Sequence, residues 1–321
     1  MTRAPRLLGL IALGLLASCA PAPASLPAEP VAAGPAITVN AAPVALNPQA
    51  PEADQLGAFT YAGGLVLTAT DTSRFHGLSD LLVSGDGALT AITDEGDLIE
   101  GRILLDAAGR LQGLSEVRLS PLAGPDGRPL QNKAASDAEG LARLPNGDRL
   151  VSFERESRIW LYPAAGGPPR AVPSPSADFP LNGGMEALSA DPEAGRDVYR
   201  VAGEDSGETW RCRLGAGCEA TAVVDKPADF GVVAMRRLAG DQTAYLLRAW
   251  DPARGNRIIL TIQGPGGEVG RLEMTRPLTV DNFEGVDFVP RADGGYRLYL
   301  LSDDNFQASQ RTLLLAFDWI P

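Results

Sequence analysis

The chain is predicted to fold as an all-β propeller, with five blades favoured and an N-terminal strand closing the ring. Three observations carry this. Aromatic residues are scarce while 321 residues hold 36 glycines and 26 prolines, a composition suited to many short strands and turns. A glutamate-centred phrase recurs as Ala138-Glu139-Gly140-Leu141-Ala142, Met185-Glu186-Ala187-Leu188-Ser189 and Phe283-Glu284-Gly285-Val286-Asp287, with weaker echoes at Phe75-His76-Gly77-Leu78-Ser79 and Asp229-Phe230-Gly231-Val232-Val233. Each phrase is followed by a turn and a second strand, at the spacing of about 45 to 60 residues expected of a propeller blade.

Residues 1–18 place Arg3 and Arg6 ahead of a short apolar run, Leu7 to Leu16, too short for a membrane-spanning helix, and read as a signal peptide. The run ends in Leu16-Ala17-Ser18-Cys19, which resembles a lipobox, so Cys19 is the expected lipidation site. The expected location is the cell envelope, on an outer membrane facing the periplasm. Residues 19–56 are rich in Pro and Ala without periodicity and are expected to be a tether, leaving 57–321 as the domain. Loss of the signal takes two arginines and no acids, moving the formal charge from −12 to −14. Nucleic acid is thereby excluded as a partner, and the membrane is met through the anchor alone. A monomer is expected.

The stretch FTYAGGLVLTA, from Phe59 to Ala69, precedes the first unit and can supply the strand that the last one lacks, removing a sheet edge. Four complete units start near Gly77, Glu139, Glu186 and Gly231, and a fifth, from Glu284, has three strands before the chain stops. A sixth blade inside 106–138 and a split two-sheet sandwich are the alternatives. Cys212 and Cys218 flank Gly215-Ala216-Gly217 on a hairpin, a spacing that fits a disulfide in an oxidising compartment.

Antiparallel strands return the end of the second strand to the rim where the first begins. Glu139, Glu186 and Glu284 should therefore converge at the channel, with Asp94, Glu95, Glu154, Glu204, Asp205, Asp303 and Asp304 forming a second ring. So many carboxylates repel one another unless cations lie among them. Arg155 and Arg248 stand in the same register. An all-oxygen ligand set, with Asn182, Asn282 and Asn305 as neutral donors, suits calcium better than zinc or copper. The metal-ligand candidates are Glu139, Glu186, Glu284, Asp94, Glu154, Glu204, Asp303 and Asp304. Turn-capping by these same side chains is the alternative.

No P-loop, H-E-x-x-H, EF-hand loop or G-x-S-x-G occurs. The single histidine, His76, falls in the register of the glutamates and is a candidate base, metal ligand, or triad member with Ser79 or Ser206. The catalytic candidates are thus Glu284, His76 and Glu186, and Arg155, Arg248 and Asn305 are the substrate-binding candidates.

DNFEGVDF followed by LYLLSDDNFQ, the early GLS, and the middle D-A-E-G-L-A and N-G-G-M-E-A-L together resemble the phytase-like propellers described as having esterase-like activity. The resemblance spans about Phe59 to Trp319. It implies a propeller hydrolase of phosphoesters or other esters with a calcium-binding acidic channel, although basic residues able to grip phosphate are sparse. A non-catalytic binding module of the envelope and a metal-dependent lactonase are the competing expectations.

Overall fold

The structure, a computed structural model, describes residues 35–321. The expected signal peptide, Cys19 and the first part of the expected tether lie outside the described residues. Five antiparallel sheets make a five-bladed propeller. Blade 1 comprises Leu78–Val83, Ala88–Thr93, Asp97–Leu105 and Leu111–Pro121; blade 2 comprises Ala138–Arg143, Arg149–Phe153, Arg158–Tyr162 and Arg170–Val172. Blade 3 holds Ala187–Ala190, Val198–Ala202, Glu208–Arg213 and Gly217–Val223, and blade 4 holds Gly231–Leu238, Gln242–Asp251, Gly255–Gly264 and Gly267–Met274. Blade 5 runs Asn282–Pro290, Tyr296–Asp303, Leu313–Trp319, and then Phe59–Ala69 from the front of the domain. Leu314 pairs with Leu65 and Trp319 with Phe59 across this last junction. Residues 106–138 contain no extra blade. They hold the outer strand of blade 1 and the short helix Lys133–Ser136.

The first strands form a closed ring, each packed on that of the next blade. Apolar side chains fill the spaces between sheets: Ile92 and Leu98 of blade 1 meet Leu141, Val151 and Phe153 of blade 2, and Ala187 and Ala202 of blade 3 meet Val232, Met235 and Leu247 of blade 4. Each such fully buried Leu, Val or Phe contributes roughly 1.5–3 kcal/mol, so the seams between blades hold much of the stability. The glycine of the E-G phrase has a packing reason. A Cβ on Gly140 would lie 2.5 Å from the Glu186 carbonyl oxygen, and one on Gly285 would lie 2.9 Å from Leu81, so the bare backbone lets neighbouring inner strands approach.

Paired strand structure lies inside the stretch whose composition predicts a tether. Val39–Pro43 is a strand paired with Leu65–Ala69, and Leu46 is 1% exposed in the core beneath blades 4 and 5. Just before it, the Ile37 amide donates to the Val117 carbonyl and the Leu119 amide to the Pro35 carbonyl. Residues 35–43 therefore strap the outer strand of blade 1 to the outer strand of blade 5, across the seam where the ring closes. Proline is tolerated there because an edge strand leaves one side of its backbone unpaired.

Cys212 and Cys218 are directly opposed on neighbouring strands of blade 3, with Cα atoms 4.0 Å apart, and are disulfide-bonded.

Candidate metal centre at the channel mouth

Backbone pairing gives the five blades a common register. The amides of Asp94, Glu154 and Glu204 donate to the carbonyls of Gly77, Asp137 and Gly184, while Arg248 pairs with Gly231 and Asp303 with Asn282. Two residues beyond each of these partners stand Ser79, Glu139, Glu186, Val233 and Glu284. In four blades this residue is the extra one of a β-bulge in the first strand, which aims its side chain toward the axis. The channel mouth thus carries Glu139, Glu186 and Glu284 in one tier and Asp94, Glu154, Glu204, Asp303 and the cation Arg248 in the next.

The register corrects the reading of the two weak echoes. Ser79, not His76, takes the glutamate position in blade 1, and Val233, not Phe230, takes it in blade 4. The glycines of the two echoes, Gly77 and Gly231, stand two residues before the glutamate position rather than one after it, so matching the phrases by glycine misplaces it.

Electrostatics at the mouth are severe. Burial, then the charges of Glu186 and Glu284, push Glu139 well above the usual carboxylate range. Burial and then Glu204 do the same to Glu186, against the opposing pull of Arg248. Burial, with Glu284 and Asp94 close by, raises Asp303 strongly, and burial lifts Asp94 to about 7 despite Lys133. Neither Glu139 nor Glu186 accepts a hydrogen bond from a described residue, and Asp94 Oδ1 is buried without a partner. Glu284 differs: Arg248 Nη1 and Asn282 Nδ2 both donate to its Oε1, which leaves Oε2 free.

Oxygen atoms of Glu154, Glu186 and Glu204 lie within 4.8 Å of one another, as do those of Asp137, Glu139 and Glu154. Glu154 belongs to both groups, and its Oε1 is fixed by the amides of Gly183, at 2.5 Å, and Gly184, at 3.3 Å. Burial raises its pKa, partly offset by these two bonds. Hard oxygen ligands, several of them without a protein donor, fit a hard divalent cation such as calcium. Asp137 was not foreseen. It is presented by the short helix before blade 2, where Lys133 at 2.5 Å and Arg155 at 2.7 Å pair with it. Lys133 also reaches Asp94 at 2.6 Å.

Four expected site residues lie elsewhere or are otherwise engaged. Arg155 is bound to Asp137 and Arg248 is divided among Glu284, Asn282 and Glu204, so neither is a free anion grip. Asp304 points away from the channel: its carboxylate accepts bonds from Thr312 Oγ1 and the amides of Gly77 and Phe306, and meets His76 Nδ1 at 2.6 Å. His76 lines a separate cavity of about 400 Å³ with Asp304 and Phe306, and no hydrogen bond joins it to a serine among the described residues. The Asp304 bond raises the His76 pKa. Asn305 is exposed at the edge of the mouth.

Beside the mouth, between blades 4 and 5, opens a cleft of about 950 Å³ that reaches Glu204, Arg248, Asn282 and Asn305. Its other charged walls are Asp205, Asp229 and Asp281 against Lys226, Arg276 and Arg311. Asp205 was expected at the rim, but residues in the connections between blades carry no repeat, which is why pattern reading missed Lys226, Arg276 and Arg311.

Residues 73–306 match the family described as "Phytase-like: Esterase-like activity of phytase". The chain belongs to this phytase-like family. No curated protein matches it. Among solved structures, a catalytically inactive virginiamycin B lyase from Staphylococcus aureus with Quinupristin is 10% identical, with 88% of this chain and 100% of that one covered at a TM-score of 0.42. A putative gluconolactonase is 15% identical over 89% of this chain and 90% of that one, at a TM-score of 0.45. A streptogramin B lyase is 10% identical over 89% and 98%, at 0.43.

Proposed function

We propose that the channel mouth of this phytase-like propeller binds calcium and hydrolyses an ester or phosphoester. The observation that supports it most directly is the pair Glu139, half-buried, and Glu186, buried, which stand among like charges with no donor to either carboxylate among the described residues. Such groups are costly unless they are protonated or share a cation. Glu154, Glu186 and Glu204 would hold the ion, with Glu139 and Asp137 flanking it. When bound, calcium supplies a Lewis-acidic centre for a substrate oxygen.

The chain's own residues divide the remaining work. Glu284 is oriented through Oε1 by Arg248 and Asn282, so Oε2 is the atom that accepts a proton from attacking water. Burial raises the Glu284 pKa, and the Arg248 guanidinium offsets part of that rise by favouring the carboxylate. The cleft beside the mouth admits the substrate and brings it to Arg248 and Asn282, the two donors that hold Glu284. Delivery to the envelope by a lipid on Cys19 would place this chemistry at a membrane surface.

The test is a screen of esters, lactones and phosphoesters with and without calcium, on the wild type and on Glu186→Gln and Glu284→Gln. Calcium-dependent turnover lost in both variants is the expected result. Calcium binding without any turnover would favour the envelope binding module.

A further inference from the structure

The cleft beside the channel mouth has a chemistry of its own. Trp250 lies in its wall and is 64% exposed, whereas Trp210 and Trp319 are buried. It lies near the end of the strand that carries Arg248, two residues earlier, so the indole and the Arg248 guanidinium project on the same side of that strand. Asn256 is its cross-strand partner. An indole left in water at the edge of a deep cleft is an apolar plate without a cover.

The charges of the cleft exclude one class of occupant. Four acidic residues there, Glu204, Asp205, Asp229 and Asp281, face four basic ones, Lys226, Arg248, Arg276 and Arg311. Several are already paired, Arg311 with Asp281 and Arg248 with Glu204. A balanced wall gives no field to attract a polyanion or a polycation. The uncharged polar lining is instead rich in amides: Asn305 and Gln307 are exposed and each offers donor and acceptor atoms, Asn256 and Gln310 are half-buried, and Asn282 is engaged by Arg248 and Glu284.

We infer that this cleft is a saccharide subsite, which takes a neutral sugar ring stacked on Trp250 and hydrogen-bonded by the surrounding amides. A pyranose has a C–H face that covers an indole and a rim of hydroxyls that both donate and accept, matching the two features of the wall. The inference rests on the proposed reactive mouth and gives its substrate class: an ester whose alcohol or acyl partner is a saccharide, with the sugar in the cleft and the ester beside Glu284.

Calorimetric titration of the full domain with cellotriose, maltotriose and the N-acetylglucosamine trimer tests it, with digalacturonate and inorganic phosphate as anionic probes. Saturable binding of at least one neutral trisaccharide, weakened tenfold or more by Trp250→Ala and largely kept by Trp250→Phe, is expected. An unchanged calcium thermal shift in Trp250→Ala would show that the mouth and fold are intact. Binding by none of the neutral trisaccharides, equal binding by Trp250→Ala, or binding of the anionic probes alone would overturn the subsite. If saccharide binds but calcium has no effect on the wild type, the saccharide subsite stands and the metal-assisted hydrolase does not.

Discussion

Arg236 Nη2 lies 2.8 Å from Asp80 Oδ1 on the axis of the propeller, and through this pair all five blades are joined. The same guanidinium donates to Asp287 of blade 5, to the Leu188 carbonyl of blade 3 and to the Leu81 carbonyl of blade 1. Asp80 in turn accepts the Leu141 amide of blade 2. Arg236 itself stands on blade 4 and is 4% exposed. The channel is thus closed further along the inner strands by one fully engaged cation, and the acidic mouth has an ionic floor of opposite design.

Arg236→Met is expected to cost about 3–5 kcal/mol, because it leaves Asp80 and Asp287 buried without their counter-charge. Replacing all three by apolar residues should not rescue stability. The amides of Leu141 and Val83 would then lose the carboxylate oxygens they use. Urea denaturation of the single and triple variants measures both; a triple variant as stable as the wild type would refute the hub.

The strap makes a second prediction. Deleting residues 35–46 should lower the melting temperature sharply, since it uncovers two outer strands and removes Leu46 from the core. Leu46→Ala alone should cost about 2–5 kcal/mol, as a buried leucine truncation does. A thermal melt unchanged by either alteration would show that this segment is a tether after all.

Much of this was legible in sequence and some was not, for physical reasons. The Glu-Gly phrases revealed blades because the close approach of neighbouring inner strands leaves no room for a Cβ at Gly140 and Gly285, and five units sufficed to count the ring. The strap at Val39–Pro43 was hidden by its Pro and Ala composition, which an edge strand permits and a central one does not. Asp137 and Lys133 escaped because they stand on a short helix outside the repeat. Adjacent Asp303 and Asp304 looked equivalent, yet successive residues at a strand end face opposite ways.

The pH dependence of the metal-free protein follows from the raised carboxylates. Unfolded, these groups titrate near their ordinary values of 3.8 and 4.5; folded, Asp94 titrates at about 7, and Glu139, Glu186 and Asp303 are raised well above those values. The folded state then binds more protons than the unfolded one, so stability falls as pH rises from about 4 through 7. Calcium should reverse the trend above neutrality, adding about 2.7 kcal/mol at one hundred times its dissociation constant. Melting temperatures from pH 5 to 8.5, with EDTA and with calcium, decide it. A flat EDTA profile would contradict the electrostatic picture of the mouth.

The two neighbouring aspartates give the sharpest separation of roles. Asp303 is buried beside Glu284 and Asp94, so Asp303→Asn should relieve repulsion, raise the stability of the metal-free protein and weaken its response to calcium. Asp304 instead ties the His76 segment to the loop after Asp303. In Asp304→Asn one oxygen becomes a donor that can no longer receive both His76 and Thr312, at a cost of about 1.5 kcal/mol, the low end for bonds to a charged group because the imidazole is partly exposed. The calcium response should survive. Because Asp304 raises the His76 pKa, its contribution is complete below the ordinary value of 6.5 and fades as pH rises through the folded value. Asp304→Asn should therefore lose more stability at pH 6 than at pH 9. If Asp303→Asn and Asp304→Asn instead abolish the calcium shift equally, both carboxylates serve the ion and the division proposed between them fails.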